Sequence, residues 1–449
     1  MVMDYSSRRG FIKQSTLAMA GVSIGAPSVS YVKGKPAEEI QVAIMGVKSR
    51  GKALARAFAY APNCTVKYIC EVDERYVQDA LKAVAEFQEA VPLVAKDIRK
   101  VLEDQDLDGL VIAAPDHWHA PATIMACEAG KHVYVEKPCS HNPQEGEWVM
   151  AAAEKYNRVV QMGNQRRTWS NVRRAIELLH GGIIGHIYYA NGWYANSRPS
   201  IGKGKDVPVP SELDFELWQG PAPRRSYRDN IHPYDWHWFW HWGTGEALNN
   251  GTHFIDLMRW GLQAEYPTMV TSAGGRYRYD DDWQTPDTQV ISIDFPGKKS
   301  LTWESRSCNA MRIQDQSAAV TFYGEGGSMV IESGNAFTIF DNDRRPKEFI
   351  KVTAEDAKEA HDQQNTVGPG LRMDAAHVQN FLAAIRDGST PNSEIKGGHK
   401  SVLLCQLGNI AYRTKSTLHI DPQNGHIKDN PAARQLWSRD YAPGWQPHV

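Results

Sequence analysis

The chain contains 449 residues, of which 42% are hydrophobic and 23% charged, a composition typical of a soluble globular protein. Its formal net charge of −2 at pH 7 argues against nucleic acid or an anionic membrane surface as a partner. The length exceeds that of one ordinary domain, so the sequence predicts two domains. The six cysteines show no CxxC pair and no metal-ligand spacing.

The N-terminal segment has the pattern of an export signal. Residues Ser7 to Lys13 read SRRGFIK, which matches the twin-arginine pattern of bacterial and archaeal export signals. The small and apolar residues from Ser15 to Ser28 form a stretch too short to span a membrane. We therefore predict a signal and linker over residues 1–34, export to the periplasm, and no membrane insertion. The alternative is a chance pair of arginines before an apolar patch.

A strand, a glycine-bearing turn and a helix open the first predicted domain. The strand Ile40–Val47 leads into the turn Gly46-Val47-Lys48-Ser49-Arg50-Gly51, and a helix is predicted from Lys52 to Tyr60. In dinucleotide-binding domains the backbone N–H groups of such a turn meet the pyrophosphate. Lys48 replaces the middle glycine of the usual pattern, so either its charge compensates or the cofactor sits differently.

An acidic residue follows the second predicted strand. The strand Val66–Cys70 ends at Glu71, about twenty residues after the turn, where a carboxylate binds the ribose hydroxyls of NAD. A carboxylate there would repel the 2′-phosphate of NADP, so NAD is the favoured cofactor. Asp73 is a second candidate, and both residues also fit as plain helix-entry carboxylates.

Two further strands and a helix follow along the chain. Strands at Val111–Ala114 and Val133–Val135 flank a helix from about His119 to Ala129, and Glu136-Lys137-Pro138 comes directly after the second strand. Lys137 therefore lies at the carboxyl end of a strand, the edge at which open α/β sheets bind ligands. A solvated loop lysine is the alternative. The alternation predicts one doubly wound domain over residues 38–165.

These motifs, in this order, resemble the Gfo/Idh/MocA oxidoreductase family, the group of glucose–fructose oxidoreductase and inositol dehydrogenase. The resemblance rests on the glycine turn, the acidic strand end and the segments AAPDHWHAP, AGKHVYVEKP and QMGNQRR. It implies an α/β fold with an N-terminal Rossmann domain, and a C-terminal α+β domain whose large, mostly antiparallel open sheet assembles a homo-oligomer, a dimer or tetramer. It also implies oxidation or reduction of a sugar or cyclitol hydroxyl with NAD(P). The residues predicted to bind the cofactor are Gly46, Lys48, Ser49, Arg50, Gly51, Glu71, Asp73, Ala114, Pro115, His119, Glu136, Lys137 and Asn164.

The second predicted domain, residues 166–420, contains a run of tryptophans. From Tyr234 to Trp242 a tryptophan stands at every second position. If the run is extended, all four tryptophans share one face, which would suit a sugar ring, whereas a core strand of packed aromatic residues is the alternative. The residues predicted to bind the substrate are Arg167, Tyr234, Trp236, Trp238, Trp240 and His253.

A helix predicted from Phe254 to Leu262 places His253 near its start. The resemblance implies that His253 is the acid/base of a DxxxH arrangement, but Asn249 stands where that arrangement has its aspartate. An amide orders only a neutral imidazole, so Asp256 is the predicted substitute. The predicted catalytic residues are Lys137, His253, Asp256 and Asn249.

A zinc site is the rival interpretation of the histidines. His237 and His241 have the i, i+4 spacing of ligands on a helix, with His232 and His253 completing the set. The alternating tryptophans argue against a helix there, so no metal is predicted.

The remaining sequence predicts sheet, two helices and a tail. Strands are predicted at Met269–Tyr277, Thr288–Phe295, Lys299–Ser305, Ala318–Tyr323 and Ser328–Ser333, helices at Met373–Asp387 and Gly397–Tyr412, and a surface tail over residues 421–449.

The sequence therefore predicts an NAD-dependent oxidoreductase that transfers a hydride between a carbohydrate hydroxyl and a tightly bound cofactor. One alternative is an NAD-dependent glycosidase or lyase that acts through a transient keto-sugar. A second alternative is a non-catalytic sugar-binding accessory subunit, for which Lys48 and Asn249 would be signs of decay.

Overall fold

The computed structural model describes residues 39–350 and 370–449, which belong to one compact unit, Glu38–Val449. The predicted export signal lies outside the described residues, so export stays a prediction, as does the homo-oligomer. None of the helices in this part of the chain is long and apolar enough to cross a membrane.

The first sheet has six parallel strands. They are β1 (Ile40–Met45), β2 (Cys64–Cys70), β3 (Leu93–Ala95), β4 (Gly109–Ile112), β5 (His132–Val135) and β6 (Val160–Met162). The order in the sheet is β3-β2-β1-β4-β5-β6, so the direction of winding reverses between β1 and β4. The helices between the strands are α1 (Arg50–Tyr60), α2 (Val77–Ala85), α3 (Ile98–Val101), α4 (Asp116–Glu128) and α5 (Pro143–Lys155). This confirms the predicted doubly wound sheet, and its carboxyl edge at the reversal is where such sheets bind ligands.

The second sheet has ten strands and is mostly antiparallel. Its strands are β7 (Ile187–Ala195), β8 (Met269–Gly275), β9 (Thr288–Phe295), β10 (Lys299–Arg306), β11 (Ala318–Gly324), β12 (Gly327–Glu332), β13 (Phe337–Phe340), β14 (Pro346–Ile350), β15 (Leu418–Ile420) and β16 (Ile427–Lys428). The order is β14-β13-β12-β11-β7-β10-β9-β8-β15-β16, and β7 and β10 pair in parallel. The predicted fold class is confirmed, including the large open sheet.

Helices join the two sheets around a shared apolar core. They are α6 (Ser170–His180), α7 (Phe215–Gln219), α8 (Glu246–Asn249), α9 (Gly251–Gly261), α10 (Leu371–Asp387), α11 (Ile395–Thr414) and α12 (Pro431–Arg434). Short 3₁₀ helices lie at Glu74–Tyr76, Gln165–Arg167, Asp235–Trp238 and Gln435–Trp437. Helices α9 and α11 pack on the second sheet and contact each other, and one continuous apolar cluster runs from β4 and β5 through these helices to β9.

The tryptophan run is not extended, so the condition under which its four tryptophans would share one face is not met. A 3₁₀ helix forms at Asp235–Trp238, and the chain then turns back at Gly243, whose N–H donates to Phe239 O at 2.8 Å. The bend sends the side chains in different directions. Trp238 stacks on Trp283 with ring centroids 3.9 Å apart, whereas Trp236 and Trp242 join a separate apolar cluster. The period-two pattern alone therefore did not predict this bent conformation, in which the tryptophans pack against different aromatic and apolar partners.

The irregular segment 197–245 covers the carboxyl edge of the first sheet. Its own apolar cluster includes Trp218 and Trp236. Asp214 N donates to Val72 O at 2.9 Å, and the imidazole of His232 lies 2.7 Å from the carboxylate of Asp73. These contacts hold the segment across the end of β2, so it roofs the region where a cofactor is predicted.

The C-terminal tail packs against helices α4 and α5, which flank the first sheet. Arg439 forms an ion pair with the fully buried Glu145 at 2.7 Å and also donates to His117 O at 2.7 Å. The ring of Trp445 meets that of Trp118 edge-on, with centroids 5.2 Å apart. The tail therefore supports helix α4, to which His117 and Trp118 belong.

Several histidines of this fold are wholly or partly buried, which disfavours their charged form. Burial lowers the pKa of His132, His241, His377 and His399 to about 4 in each case, from an ordinary value of 6.5. Several serve as hydrogen-bond partners of the main chain. His132 Nδ1, for example, accepts from Val159 N at 3.0 Å, and a protonated ring could not do this.

From the low pKa values of these histidines we predict that the free energy of unfolding decreases in acid. Because their pKa values are depressed in the folded state, the unfolded chain binds more protons below pH 6.5, and stability falls as the pH drops from 6.5 towards 4. Each histidine contributes up to about 1.4 kcal/mol per pH unit. Urea unfolding at pH 7, 6 and 5 measures how the free energy of unfolding depends on pH. In His399→Gln the slope of the free energy of unfolding against pH should decrease by the contribution of one histidine. The control is His186→Gln, a change at an exposed position, which should leave the slope unaltered. Equal stability at the three pH values would contradict the assignment.

Candidate active site

A deep cavity lies at the carboxyl edge of the first sheet, under the segment 197–245. The cavity and its open mouth together comprise about 1400 Å³ of space. Ten of the residues predicted to bind the cofactor line it: Gly46, Lys48, Ser49, Arg50, Glu71, Ala114, Pro115, His119, Glu136 and Lys137. Asn249, His253, Tyr234 and Trp236 line it as well. The cavity therefore brings residues predicted to bind the cofactor together with the predicted catalytic residues Lys137, Asn249 and His253.

The turn after β1 depends on its two outer glycines. Gly46 has φ +79°, and a Cβ there would lie 2.9 Å from backbone atoms of Ala114. A Cβ on Gly51 would lie 1.7 Å from the carbonyl oxygen of Gly46. The turn consequently packs tightly against both the start of α1 and the end of β4. Its first two N–H groups are already bonded, Gly46 N to Cys70 O at 2.9 Å and Val47 N to Glu71 Oε2 at 2.7 Å. Ser49 and Arg50, at the start of helix α1, line the cavity, and a helix N-terminus is a favourable place for a pyrophosphate.

Glu71 is held by main-chain donors at the end of β2. Its Oε2 accepts from Val47 N at 2.7 Å, and Oε1 accepts from Val72 N at 2.8 Å and from Asp73 N at 3.0 Å. Burial raises the pKa of this carboxyl, while the three N–H groups act against that rise. Glu71 is therefore a fixed acceptor at the position predicted for the ribose hydroxyls.

Arg50 is the centre of a buried ion network beneath the turn. Its Nε lies 2.7 Å from Glu136 Oε1, and its two Nη atoms each lie 2.6 Å from an oxygen of Asp374. Asp374 belongs to α10, far along the chain, and nothing in the local sequence marked it. The two carboxylates neutralise the positive charge of Arg50. In this geometry Arg50 connects the turn to helix α10.

Lys137 joins the first sheet to the helices that pack on the second. Its Nζ donates to Asn249 O at 2.7 Å and to Asn249 Oδ1 at 3.0 Å. Burial lowers the pKa of this partly buried ammonium group, and the carboxylates of Glu136, Asp116 and Glu246 oppose that shift. Lys137 thus stands in the cavity as a desolvated donor that nearby anions keep charged.

His253 lies in the first turn of α9 and lines the same cavity. It is buried, and its Nδ1 has no hydrogen-bond partner among the described residues. Burial lowers the pKa of the imidazole well below its ordinary value, and the charges of Arg166 and Lys137 act in the same direction. A neutral imidazole in this position can accept a proton.

The suggested pairing of Asp256 with His253 is wrong. Both oxygens of Asp256 accept from Arg167 at 2.8 Å, and Oδ1 also accepts from Ser401 Oγ at 2.6 Å. One turn of helix carries Asp256 towards α11 rather than into the cavity. Asn249 is also not a partner of His253, since its oxygens bind Lys137.

Several predicted site residues lie outside the cavity lining. Gly51 packs against the turn, and Asp73 pairs with Arg75 at 2.6 Å and with His232. Asn164 is buried, and its side-chain amide has no partner among the described residues. The predicted substrate residues that the lining does not include are Arg167, Trp238 and Trp240.

His237 is a cavity residue that sequence reasoning did not place in the substrate site. Its ring stacks on Trp236, with centroids 3.6 Å apart, and its Nδ1 lies 2.6 Å from Tyr234 O. A carbonyl only accepts, so Nδ1 carries the hydrogen and the neutral ring keeps Nε2 as an acceptor. Burial lowers its pKa well below the ordinary value. The YxxH spacing Tyr234-Asp-Trp-His237 was the available signal.

The rival zinc site is not assembled in the structure. His232 binds Asp73, and His241 Nε2 lies 2.7 Å from Pro223 O. The helix that holds His237 ends at Trp238, so His237 and His241 do not share a helical face. In the described part of the chain no group of three or more histidine, cysteine or acidic side chains is arranged to hold a metal ion.

Two family sequence models match the chain. The model described as oxidoreductase family, NAD-binding Rossmann fold, matches residues 40–164, and that described as oxidoreductase family, C-terminal alpha/beta domain, matches residues 219–418. The chain belongs to the Gfo/Idh/MocA oxidoreductase family.

Curated relatives match less than half of the chain. A glycosyl hydrolase family 109 protein from Saccharopolyspora erythraea is 27% identical over 209 residues, which are 42% of this chain and 45% of the relative. An alpha-N-acetylgalactosaminidase from Shewanella oneidensis is 24% identical over 209 residues, with the same coverage. The matches therefore span about 45% of the length of these relatives.

Solved structures resemble almost the whole fold. Levoglucosan dehydrogenase, in complex with NADH and levoglucosan, gives a TM-score of 0.66 at 20% identity and covers 85% of this chain and 99% of its own. Aldose–aldose oxidoreductase from Caulobacter crescentus, complexed with glycerol, gives a TM-score of 0.63 at 17% identity and covers 85% and 100%. At these identities the likeness establishes the fold alone.

The ion network predicts that Asp374→Asn destabilises the protein. Removing one partner of a buried ion pair costs about 3 kcal/mol, because the other charge stays buried with less compensation. The matched control is Asp280→Asn, which removes an exposed pair with Lys203 and should leave the free energy of unfolding almost unchanged. Urea unfolding compares the two variants. An equally small effect at both positions would show that the Arg50 network does not stabilise the turn.

Proposed function

We propose that this protein is an NAD-dependent oxidoreductase that transfers a hydride between a secondary hydroxyl of a sugar or cyclitol and a nicotinamide cofactor bound in the cavity. The observation that carries the proposal is the meeting of a charged donor, Lys137, and a neutral acceptor, His253, in the cavity that the glycine turn and Glu71 border. The names of two structural neighbours, levoglucosan dehydrogenase and aldose–aldose oxidoreductase, support the substrate class.

The residues present fit a dinucleotide. A Cβ on Gly46 or Gly51 would collide with main-chain atoms, so the two glycines keep the turn tight, and the N-terminus of α1 would face a bound pyrophosphate. Glu71 would accept from the adenosine ribose, and Glu136 and Lys137 border the end of the cavity that faces His253. When bound, the nicotinamide supplies the site that accepts or donates the hydride. Lys48, the departure from the glycine pattern, lines the same turn with a positive charge.

Proton handling at the substrate oxygen falls to two side chains. In our proposal Lys137 Nζ donates to the reacting hydroxyl oxygen and stabilises the negative charge that develops there, and the neutral imidazole of His253 takes the hydroxyl proton. Burial favours the neutral form of His253, whose unprotonated ring nitrogen can accept a proton, and the anions around Lys137 favour its ammonium form. Side chains of the segment 197–245, among them Tyr234 and Trp236, line the same cavity.

A glycosidase is the second candidate function. His237 gives the cavity a second neutral imidazole, one more proton acceptor than a simple dehydrogenation needs. A second base would suit a reaction in which a ring hydroxyl is oxidised, a neighbouring C–H proton is removed, the aglycone leaves, water adds and the hydride returns. The names of the curated relatives point the same way. The twin-arginine pattern suits either function, since it would export the protein folded with its cofactor.

Product analysis separates these possibilities. The NAD-supplemented protein is given a panel of free sugars and glycosides, and products are identified by mass spectrometry. A product lighter by two hydrogens with matching NADH supports the dehydrogenase. A released aglycone without net NADH supports the glycosidase. No product across the panel and no retained cofactor would contradict both and favour the accessory subunit.

Lys137→Met should abolish turnover while the fold and NAD binding persist. Loss of one preorganised donor to a developing oxyanion lowers kcat about 100-fold or more. The control is Lys428→Met, which removes an exposed lysine of β16. Circular dichroism and NAD titration establish that both variants fold and bind cofactor. Undiminished turnover in Lys137→Met would remove this residue from the mechanism.

Wild-type protein should bind NAD⁺ more tightly than NADP⁺. Lys96 is paired with Glu74 at 2.8 Å and Arg75 with Asp73 at 2.6 Å, whereas Glu71 is held, among the described residues, only by main-chain N–H groups, so a 2′-phosphate would meet its negative charge. Glu71→Gln keeps an acceptor oxygen without the charge and should narrow the ratio of the two dissociation constants by about tenfold. Fluorescence titration measures the ratio, and equal affinities in the wild type would contradict the assignment.

A further inference from the structure

A buried ion pair lies directly behind the substrate end of the cavity. Arg198 Nε is 2.8 Å from Glu246 Oε2, and Arg198 Nη2 is 3.4 Å from Oε1. Glu246 is 1% exposed and Arg198 8%. Burying such a pair gains little stability compared with apolar residues of similar size, so its presence calls for another explanation.

Glu246 reaches Lys137 through one intervening side chain. Asn249 Nδ2 donates to Glu246 Oε1 at 3.3 Å, and Asn250 Nδ2 donates to the same oxygen. With its nitrogen turned to Glu246, the Asn249 amide presents its oxygen to Lys137 Nζ at 3.0 Å. A carboxylate accepts only, so it fixes which way the amide faces. The chain of contacts therefore runs from Glu246 through Asn249 to Lys137.

Arg198 reaches the cavity on its other side. Its Nη1 donates to the hydroxyl of Tyr234 at 3.0 Å, and Tyr234 lines the cavity. The guanidinium lies over the Trp238 ring, 4.8 Å from its centroid, and Trp238 is itself stacked on Trp283. The aromatic rings therefore hold the ion pair in place. Its Glu246 end binds Asn249 and its Arg198 end binds Tyr234, and both of these side chains line the cavity.

We propose that Glu246 and Arg198 are positioning residues: Glu246 orients the Asn249 amide towards Lys137, and Arg198 fixes Tyr234. The effect on turnover rests on the proposed function, whereas the effect on Lys137 itself does not. Glu246 touches no substrate in this account and acts through Asn249.

Other charged groups also face Lys137 and set the background for the effect. Glu136 and Asp116 favour its protonated form together with Glu246, and Arg50 opposes it. The imidazoles of His253 and His237 are neutral because burial lowers their pKa values. The charges of Glu246 and Arg198 act on Lys137 in opposite senses, so removing both leaves the Asn249 amide as the source of the expected effect. Once freed from Glu246, this amide can turn its nitrogen towards Lys137 Nζ, which disfavours the ammonium form, and Lys137 should lose its proton at a lower pH.

The test variant is the double replacement Glu246→Gln with Arg198→Met. Changing both partners avoids leaving a lone buried charge, which would destabilise the fold by itself. The pH dependence of Lys137 reactivity is measured on the full chain, with and without NAD, by trace acetylation with acetic anhydride and peptide mass spectrometry. The midpoint should move down by about one pH unit, a tenfold change in the ionisation constant. The alkaline limb of the kcat profile should move with it.

The matched control is Glu145→Gln with Arg439→Met, which removes an equally buried carboxylate–guanidinium pair at the C-terminal tail. It should leave the Lys137 midpoint in place. A folded Glu246/Arg198 double variant with an unchanged midpoint would overturn the proposal and make the pair merely structural. The acetylation result is independent of turnover, so a failure to act on any sugar would count against the proposed function and not against the positioning role.

A milder variant covers the case in which the double variant does not fold. Glu246→Asp keeps the charge opposite Arg198 but withdraws the carboxylate from Asn249 by one methylene. Acetylation of this variant should show an altered Lys137 midpoint, and kcat should fall about tenfold with the affinity for NAD unchanged. Wild-type values of both the midpoint and kcat in Glu246→Asp would overturn the proposal.

Discussion

The contact between Lys137 and Asn249 is the one on which the rest of the site depends. It joins the carboxyl end of β5 in the parallel sheet to the end of α8, which leads into the helix that carries His253. An ammonium group taken out of water loses stability unless anions and acceptors replace the water. Here the main-chain and side-chain oxygens of Asn249 supply the acceptors, while Glu136, Asp116 and Glu246 supply the negative charge.

Long-range ion pairs hold the cavity walls in place. Arg50 ties the nucleotide turn to Glu136 and to Asp374 on α10, and Arg198 with Glu246 supports the substrate end. The segment 197–245 closes the roof by bonding to Val72 and Asp73 at the end of β2. Because these elements come from distant parts of the chain, the cavity forms only when both sheets have folded and packed. A cofactor in it would be enclosed on the sheet side and the roof side.

Sequence reasoning worked where the determinants are local. The glycine turn, the strand ending at Glu71 and the strand before Lys137 were predictable, because buried parallel strands and tight turns restrict the residues that can form them. Pairings between distant residues were not. Asp256 follows His253 closely in sequence but binds Arg167, and the partner of Arg50 lies on α10. The tryptophan run was interpreted from its local alternation, whereas in the structure the run bends and Trp238 stacks on Trp283, which is distant in sequence. His237 was seen in sequence, but only the fold brings it to the cavity.

The most direct test of the account is whether hydrogen passes between substrate and cofactor in this cavity. A sugar deuterated at its secondary ring carbons is mixed with the NAD-loaded protein, the reaction is stopped rapidly, and the extracted cofactor is analysed by mass spectrometry. The account predicts one deuterium on the nicotinamide ring in the wild type, for a dehydrogenase and a glycosidase alike, and none in Lys137→Met. Substrate conversion without deuterium in the cofactor would contradict the central claim that Lys137 and His253 serve a hydride transfer.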